Sequence, residues 1–441
     1  MSKLNKILKE KLTERNHHGV AVPKLSHYAQ LERIVLASML WEDTFYVDGK
    51  SHAEKVAELT KKVTPEKVSE LAIKARGAFK LRHIPLLIAR ELARIGKLSA
   101  ATLNAVIQRP DEMGEFMAMY WKEGKQPLSN QVKKGLAQAF SKFNEYQLAK
   151  WDKSSAAIKL RDIMFLAHPK PQDALQEAMF KRIANNELKT PDTWEVALSG
   201  GADKKETFER LMQEKKLGAL AFLRNLRNML EAGVSEATIR GYSKTVNLER
   251  VLPFRFVAAA RIVPQLEDML ESMMLRSLQD HEKLSGKTIL LVDVSGSMFG
   301  GKVSQKGDLT NFDAAAALAM LCREVCDDVE VYTFSNTLVR VAPRRGFAMA
   351  DALSSSQPHS GTHLASSLQM LRSKADRIIV FTDEQAYDRP YAPQAYGSDK
   401  GYVINVSSYE NGINHGDWLT VTGFSEAVVD YIQQLEKLGT E

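Results

Sequence analysis

The sequence predicts a multidomain protein in which an all-α array of helical repeats is followed by a doubly wound α/β domain. The chain has 441 residues, more than one ordinary hydrophobic core accommodates. Helix start signals and helical spacing of apolar residues recur as far as residue 284. After residue 285, short apolar strands alternate with helices, as in a doubly wound sheet. We therefore predict a helical domain over 1–284 and an α/β domain over 285–441.

Helix start signals dominate the N-terminal part. Thr64-Pro65-Glu66 combines an N-cap residue, a proline at the first helical position and an acid in the first turn. Thr190-Pro191-Asp192 repeats this pattern, and Ser129 and Ser235 predict two further starts. No repeat of fixed period is present. Helices of about 12–18 residues joined by short turns favour an irregular α-solenoid.

The C-terminal part opens with a near-continuous apolar segment, Lys287–Asp293, typical of a parallel strand buried on both faces. A loop rich in Gly, Ser and Lys follows over 296–310. The other predicted strands are 329–334, 337–341, 377–382 and 401–406, and the predicted helices are at about 312–326, 363–375 and 424–437.

Composition excludes several classes of protein. No apolar run reaches the roughly 18–20 residues that a membrane span requires, and the N-terminus lacks the apolar stretch of a secretory signal. The two cysteines, Cys322 and Cys326, exclude a disulfide framework and favour a reducing compartment, so we expect a cytoplasmic protein. Their i,i+4 spacing predicts small core residues on a helix.

The net charge of +6 is unevenly distributed. Residues 1–284 hold 47 Lys and Arg against 35 Asp and Glu, a charge of +12, whereas residues 285–441 hold 13 against 19, a charge of −6. The basic part is a candidate for a polyanionic partner. Many helical domains carry a similar excess on a solvated face, so charge alone does not decide between these interpretations.

Oxygen-bearing side chains follow the first predicted strand. Asp293, Ser295 and Ser297 stand at i, i+2 and i+4, beyond the carboxyl end of that strand, where open α/β sheets bind ligands. Thr362 precedes a later helix and Asp383 ends a later strand. We predict a divalent metal site from these residues. An oxygen-only set suits Mg²⁺ best, with Mn²⁺ or Ca²⁺ as alternatives, and does not suit zinc. The alternative is an ordinary turn with local side-chain hydrogen bonds.

With this motif, residues 286–441 resemble a von Willebrand factor A domain that carries a metal-ion-dependent adhesion site. The resemblance implies that Asp293, Ser295 and Ser297 form the first metal loop, with Thr362 in the second and Asp383 in the third. It also implies a coordination position left open for an acidic group of a partner. We expect no catalysis, because neither a general base nor a nucleophile accompanies the ion.

Basic residues cluster at two places in the helical part. Arg90, Arg94 and Lys97 fall at i, i+4 and i+7, which predicts a basic stripe on one helix face. The segment 159–171 predicts a helix stopped by a His-Pro-Lys-Pro turn, and basic residues surround His168, which favours a phosphate or base contact. The alternative is a histidine that caps the helix or packs beneath the loop. The surrounding residues are Lys150, Lys153, Lys159, Arg161 and Lys170.

The order and size of the two parts resemble the TROVE module of Ro-type RNA-binding proteins, in a shorter, bacterial or phage form. Three segments carry this resemblance together with the metal motif: Leu31–Lys50, Arg161–Pro171 and Leu252–Phe256. The resemblance implies a ring of HEAT-like repeats closed by the A domain. It implies an outer surface that binds small noncoding Y-type RNA and a central hole that takes single-stranded 3′ ends of misfolded RNA.

The same resemblance assigns the basic residues. By position, five of them fall near the Y RNA-binding patch of the family, and the stripe that begins at Arg90 is assigned to the hole. The five are Lys150, Lys153, Arg161, His168 and Lys170.

Two functions from different classes follow. The first is a non-enzymatic, monomeric RNA-binding protein that acts in noncoding RNA storage, quality control or delivery to an exoribonuclease. The second is a protein-interaction scaffold whose metal site docks an acidic partner, such as an AAA+ ATPase. No membrane partner is expected. A metal-dependent hydrolase is disfavoured, because no general base lies near the metal motif.

Overall fold

The computed structural model describes residues 14–15, 21–22, 26–37, 46–47, 50–78, 81–152, 156, 158–249, 251, 253–279, 282–302, 309–383, 388, 390–407, 418–422, 428–429, 432–433 and 436. They form two compact units. The helical unit comprises 27–35 and 46–216, and the sheet unit comprises 1–26, 36–45 and 217–441. The predicted change of character at residue 285 coincides with the first long strand, Leu284–Asp293. The longest segment of the compact sheet unit begins earlier in the chain, at Leu217.

Short antiparallel strand pairs precede or open the helices. In the sheet unit β1 (Glu14–Arg15) pairs with β2 (Ala21–Val22), and in the helical unit β3 (Tyr46–Val47) pairs with β4 (Lys50–Ser51). The twelve helices described from residue 27 to residue 216 are α1 (His27–Ala37), α2 (His52–Thr60), α3 (Pro65–Gly77), α4 (His83–Arg94), α5 (Ala100–Val106), α6 (Pro110–Tyr120), α7 (Asn130–Phe140), α8 (Glu145–Trp151), α9 (Leu160–Ala167), α10 (Ala174–Asn185), α11 (Trp194–Ser199) and α12 (Lys204–Gln213).

The helical unit has the packing of a helical repeat. Its helices contact mainly those one to three positions away along the chain, so that each short helix is stabilised by its neighbours. They contain 6 to 13 residues, which is shorter than the predicted length. Val68, Leu71, Ala72 and Ala75, spaced along one face of α3, are all buried.

The predicted helix starts at Pro65, Ser129 and Ser235 are confirmed, with one correction elsewhere. Ser129 Oγ accepts a hydrogen bond from the Val132 amide at 3.3 Å. The start predicted at Pro191 is wrong: α11 begins at Trp194, because Thr193 Oγ1 accepts a hydrogen bond from the Val196 amide.

The sheet unit combines eight described helices with a six-stranded sheet in the order β10-β9-β8-β5-β6-β7, parallel except for the antiparallel edge strand β7. The helices are α13 (Ala219–Glu231), α14 (Glu236–Ser243), α15 (Phe254–Ile262), α16 (Glu267–Ser277), α17 (Gly296–Gly300), α18 (Asn311–Val325), α19 (Phe347–Ser354) and α20 (Leu364–Gln369), where the first four precede the sheet. The strands are β5 (Leu284–Asp293), β6 (Cys326–Phe334), β7 (Leu338–Val341), β8 (Ala375–Thr382), β9 (Ser398–Asn405) and β10 (Trp418–Thr422). Two 3₁₀ turns, Pro264–Leu266 and Pro393–Tyr396, complete the described elements.

The apolar residues of β5 and α18 are buried against each other's elements, as expected for the centre of a doubly wound sheet. Strand β5 is buried on both faces from Ile289 to Asp293, and α18 is buried along nearly its whole length against the sheet. The sequence missed α19 and β10, and α20 ends at Gln369, six residues before the predicted end. The helix predicted at 424–437 falls mostly outside the described residues. No described helix is long and apolar enough to cross a membrane.

The cysteine pair is divided between two elements. Cys322 lies in the last turn of α18, and Cys326 begins β6, so the pair does not share one helix as predicted. Both thiols are free and buried, and burial raises the pKa of each. A buried thiol with a raised pKa is chemically inert, which agrees with the predicted core role.

Gly135 marks a close approach between α7 and α5. A Cβ added there would lie 2.8 Å from Leu103 Cβ and 3.0 Å from the Ala100 carbonyl oxygen. We expect Gly135→Ala to lower the free energy of unfolding by roughly 1–3 kcal/mol, because overpacking outweighs the helix propensity of alanine. Gly77→Ala, at the end of α3 with no atom within 4 Å, is the matched control and should stabilise slightly. Urea unfolding followed by circular dichroism measures both, and a stabilised Gly135→Ala would contradict the close packing.

Candidate metal centre and nucleic-acid interface

Two predicted metal ligands follow adjacent strands at one edge of the sheet. Strands β5 and β8 are parallel neighbours in which Val292 pairs with Phe381, so Asp293 lies level with Thr382 and Asp383 follows one residue later. Asp293 Oδ1 accepts a hydrogen bond from the Ser295 amide at 2.8 Å. Its Oδ2 accepts one from Thr382 Oγ1 at 2.6 Å. The carboxylate is therefore held in place by its own loop and by the neighbouring strand.

The two serines of the first loop are brought together. Ser295 Oγ and Ser297 Oγ lie 3.2 Å apart, on either side of the residue that begins α17. Ser295 is fully buried, whereas Ser297 is partly exposed. The site therefore extends from the interior of the unit towards its surface.

The loop that carries Thr362 is fixed to the first loop and to the end of β6. The Gly296 amide donates to the Ser360 carbonyl at 3.0 Å, and Ser335 Oγ donates to the Gly361 carbonyl at 2.9 Å. The His363 amide donates to the Ser335 carbonyl at 3.0 Å. Between these anchored residues, Thr362 is 3% exposed.

Electrostatics at this edge favour a cation. Asp293 and Asp383 are both fully buried. Burial, and next the negative charge of Asp383, raise the pKa of Asp293 to about 7, against the lowering effect of its hydrogen bonds to Ser295 and Thr382. Two buried carboxylates beside hydroxyl groups form an oxygen-only donor set, which fits a hard divalent ion. Among the described residues, no cluster of three or more His, Cys, Asp or Glu offers an alternative metal site.

Two further residues support this candidate centre and were not predicted from the sequence. Thr382 orients the Asp293 carboxylate, and Ser335 holds the loop that carries Thr362. Thr382 immediately precedes Asp383 at the end of a strand, which is a detectable signal. Ser335 follows β6 with no motif around it, so only the folded sheet reveals its role.

The residues predicted to bind RNA are distributed around α8 and α9. Lys150 is exposed in the last turn of α8, and Lys159 is the exposed residue that precedes α9. His168 is the C-cap of α9, with a left-handed backbone (φ 50°) and an exposed side chain. It therefore caps the helix and is also accessible, so the two interpretations of this histidine do not exclude each other.

The remaining predicted residues have different outcomes. Arg161 is partly exposed in the first turn of α9, and Lys170 is exposed two residues after His168. Lys153 lies outside the described residues.

The prediction that Arg90, Arg94 and Lys97 form an exposed basic stripe on α4 is wrong. Arg90 is 7% exposed, and its Nε donates to the carboxylate of the buried Glu91 at 2.7 Å. Arg94 is ion-paired with Glu91 and Glu123, and Lys97 lies beyond the end of the helix. Arg90 is thus neutralised in the interior of the helical unit, so it is not an accessible contact for RNA phosphate.

Comparisons with known proteins agree with this architecture. The TROVE domain profile matches residues 181–306. The RNA-binding protein RO60 of Deinococcus radiodurans is 22% identical, and the match covers 96% of both chains. Telomerase protein component 1 of mouse is 37% identical over 19% of this chain, and this chain spans only 4% of that protein.

A solved structure extends the likeness to three dimensions. The crystal structure of the Deinococcus radiodurans RO (RSR) protein matches with a TM-score of 0.66 and 19% sequence identity. The match covers 92% of this chain and 98% of the other. The helical repeat and the von Willebrand A-like sheet are therefore the two parts of one known fold. The chain therefore carries a match to the TROVE domain and shares the fold of the Deinococcus radiodurans RO (RSR) protein over most of its length.

Proposed function

We propose that the protein binds RNA through a basic patch of Lys150, Lys159, Arg161, His168 and Lys170. One observation carries the proposal. Within the part of the chain that the structure describes, none of these side chains forms an ion pair, whereas Arg94, Arg182, Arg210 and Arg240 all do. Positive charges without an acidic partner attract phosphate, and the counterions released on binding make the affinity depend on salt.

The relatives support the same partner. The Deinococcus radiodurans relative is named an RNA-binding protein, and it matches this chain along nearly its whole length. We propose a small noncoding, Y-like RNA as the ligand of the basic patch. We further propose that single-stranded ends of misfolded RNA bind elsewhere on the protein. Its role would be non-enzymatic, in RNA quality control or in RNA processing with an exoribonuclease. We propose a cytoplasmic location, because the two cysteines are free thiols, as is usual in a reducing compartment.

We propose that the metal centre binds Mg²⁺, with Mn²⁺ or Ca²⁺ as alternatives, through Asp293, Ser295, Ser297, Thr362 and Asp383, directly or through water. The ion would supply a coordination position for an acidic group. The partial exposure of Ser297 favours a second function, in which the sheet unit docks an acidic protein partner. These two functions do not compete, because they use different units of the chain.

Charge reversal tests the RNA proposal. We expect Lys170→Glu and Arg161→Glu each to weaken binding of a structured small RNA about tenfold or more near 50 mM salt. Binding by the unaltered protein should fall steeply between about 50 and 200 mM salt. Lys205→Glu is the matched control, because Lys205 is exposed and free of ion pairs in the described structure but lies on α12. Equal losses for all three variants, or a flat salt response, would remove the basic patch from the binding site.

A further inference from the structure

An exposed aromatic ring lies inside the basic patch. Helix α9 buries Leu160, Ile163, Met164 and Ala167 on one face. Phe165 lies off that face and is 52% exposed. Single exposed apolar residues are ordinary on protein surfaces, so the ring alone indicates nothing. Its surroundings make it informative.

Phe165 is paired with a cation of the patch. The Arg161 guanidinium carbon lies over the ring, 5.6 Å from its centroid, one helical turn away. This contact orders the ring without burying it. It also brings the positive charge of the guanidinium next to the remaining exposed ring surface.

The positive charge beside the Phe165 ring favours a nucleotide as the ligand over an apolar protein surface or a lipid. An apolar protein surface or a lipid acyl chain placed on Phe165 would also remove water from Arg161, whose guanidinium lies over the ring and has no acidic partner in the described structure. A nucleotide avoids this cost, since its phosphates neutralise the cations while its base covers the ring. Bases within a duplex are already stacked on one another, so only an unpaired base has a free face.

We propose that Phe165, supported by Arg161, is a stacking platform for an unpaired base of the RNA bound at the basic patch. The inference rests on the proposed RNA function and adds to it a preference for RNA with unpaired nucleotides beside a helical stem. Lys159 and Lys170, which precede and follow α9, hold the backbone on either side of that base. Phosphate contacts position the RNA, and the ring selects the unpaired nucleotide.

Two RNAs test the platform on the full chain. One is a stem with an internal loop of unpaired adenines, and the other is the same stem fully paired. Phe165→Ala should weaken binding of the looped RNA by roughly 5- to 150-fold, the range for loss of one base–aromatic stack. Binding of the paired stem should stay the same. Phe165→Trp should retain affinity for the looped RNA, whereas Phe165→Leu, which is apolar but has no π-face, should not.

Salt dependence separates stacking from charge. Phe165→Ala should leave the slope of log K against log salt unchanged, because a phenyl ring releases no counterion. Lys170→Ala should reduce that slope by about one. A fluorescent 2-aminopurine in the internal loop should be quenched by the unaltered protein and not by Phe165→Ala. Tyr391→Ala is the matched control, since Tyr391 is an exposed aromatic residue of the sheet unit.

Three outcomes would overturn the inference. Unchanged affinity of Phe165→Ala for the looped RNA would show that no base uses the ring. An equal loss on the fully paired stem would show that the ring positions α9 and does not stack. A change in oligomeric state with RNA binding intact would assign the ring to a protein contact. If Lys170→Glu still weakens RNA binding in these cases, the proposed function stands and only the platform fails.

Discussion

Replacing Asp293 with asparagine should stabilise the metal-free protein and abolish its response to Mg²⁺. Asp293 and Asp383 are both fully buried, and without a cation their charges repel each other. Asparagine retains an oxygen that accepts from the Ser295 amide and removes one of the charges. We expect the free energy of unfolding of the metal-free variant to rise by on the order of 1–3 kcal/mol.

The unaltered protein, in contrast to Asp293→Asn, should become more stable when Mg²⁺ is added. A ligand that binds only the folded state at a hundredfold excess over its Kd stabilises it by about 2.7 kcal/mol. For a unit of about 260 residues this corresponds to an increase in melting temperature of roughly 5 °C. Differential scanning fluorimetry after chelation, with Mg²⁺, Mn²⁺ and Ca²⁺ added back separately, measures the increase and ranks the metals.

The control for charge removal is Asp399→Asn, because Asp399 is an exposed acid of the same unit. It should leave both the metal-free stability and the metal response unchanged. Ser297→Ala should weaken the metal response without stabilising the metal-free protein, because it removes a hydroxyl ligand and no charge. A full Mg²⁺ response in Asp293→Asn would show that these carboxylates do not bind the ion. An unaltered protein that does not respond to any of the three metals would contradict the proposed centre itself.

The residues of the candidate metal centre were predictable from the sequence because most of the information that brings them together is local. Asp293, Ser295 and Ser297 lie within five residues at the end of one buried strand, and Asp383 ends a second strand of the same type. Parallel strands bring their carboxyl ends to one edge, so the second carboxylate follows from topology. Ser335 was not predictable, because its role depends on a loop that arrives from 26 residues further along the chain.

The basic residues were harder to predict, since spacing on a helix does not determine exposure. Arg90 and Arg94 stand one turn apart, but α4 is buried along most of its length and Glu91 neutralises Arg90 within the interior. The turn after α9 was more predictable because proline and an isolated histidine mark it. Thr190 was predicted to cap the helix, but Thr193 takes that position. Asp192 forms ion pairs with Arg210 and Lys216, which no local pattern reveals.

Replacing Glu112 with alanine should cause a large loss of stability in the helical unit. The Glu112 side chain is fully buried, and its Oε1 accepts a hydrogen bond from Arg76 Nη2 at 2.6 Å. Its Oε2 accepts from the amides of Gln108 and Arg109 at 2.7 and 3.0 Å, at the start of α6. Alanine would leave a buried guanidinium without its partner and two amides unsatisfied. We expect a loss of about 3–5 kcal/mol, measured by urea unfolding followed by circular dichroism.

A double substitution distinguishes the effect of the unpaired Arg76 charge from the effect of the lost hydrogen bonds at the start of α6. In Arg76→Met with Glu112→Gln, the unpaired cation is gone and the glutamine oxygen still accepts from the amides at the start of α6. We therefore expect the double variant to recover most of the lost stability, because a buried ion pair is often replaceable by uncharged groups of similar volume. Glu58→Ala, which removes an exposed i,i+4 partner of Lys62, should cost less than about 0.5 kcal/mol.

The loss of Glu112 should also affect the proposed RNA-binding patch, because a short chain of contacts connects Glu112 to α8. Glu112 holds the Arg109 amide, the Arg109 guanidinium lies over the Trp151 ring at 3.9 Å from its centroid, and Trp151 ends α8 directly after Lys150. Glu112→Ala should therefore weaken RNA binding as well as stability, and the double variant should restore both. If the double variant regains stability while RNA binding remains weak, the carboxylate positions α8 in a way that the uncharged pair does not reproduce. If Glu112→Ala loses no stability, its carboxylate and Arg76 do not form a buried pair in solution.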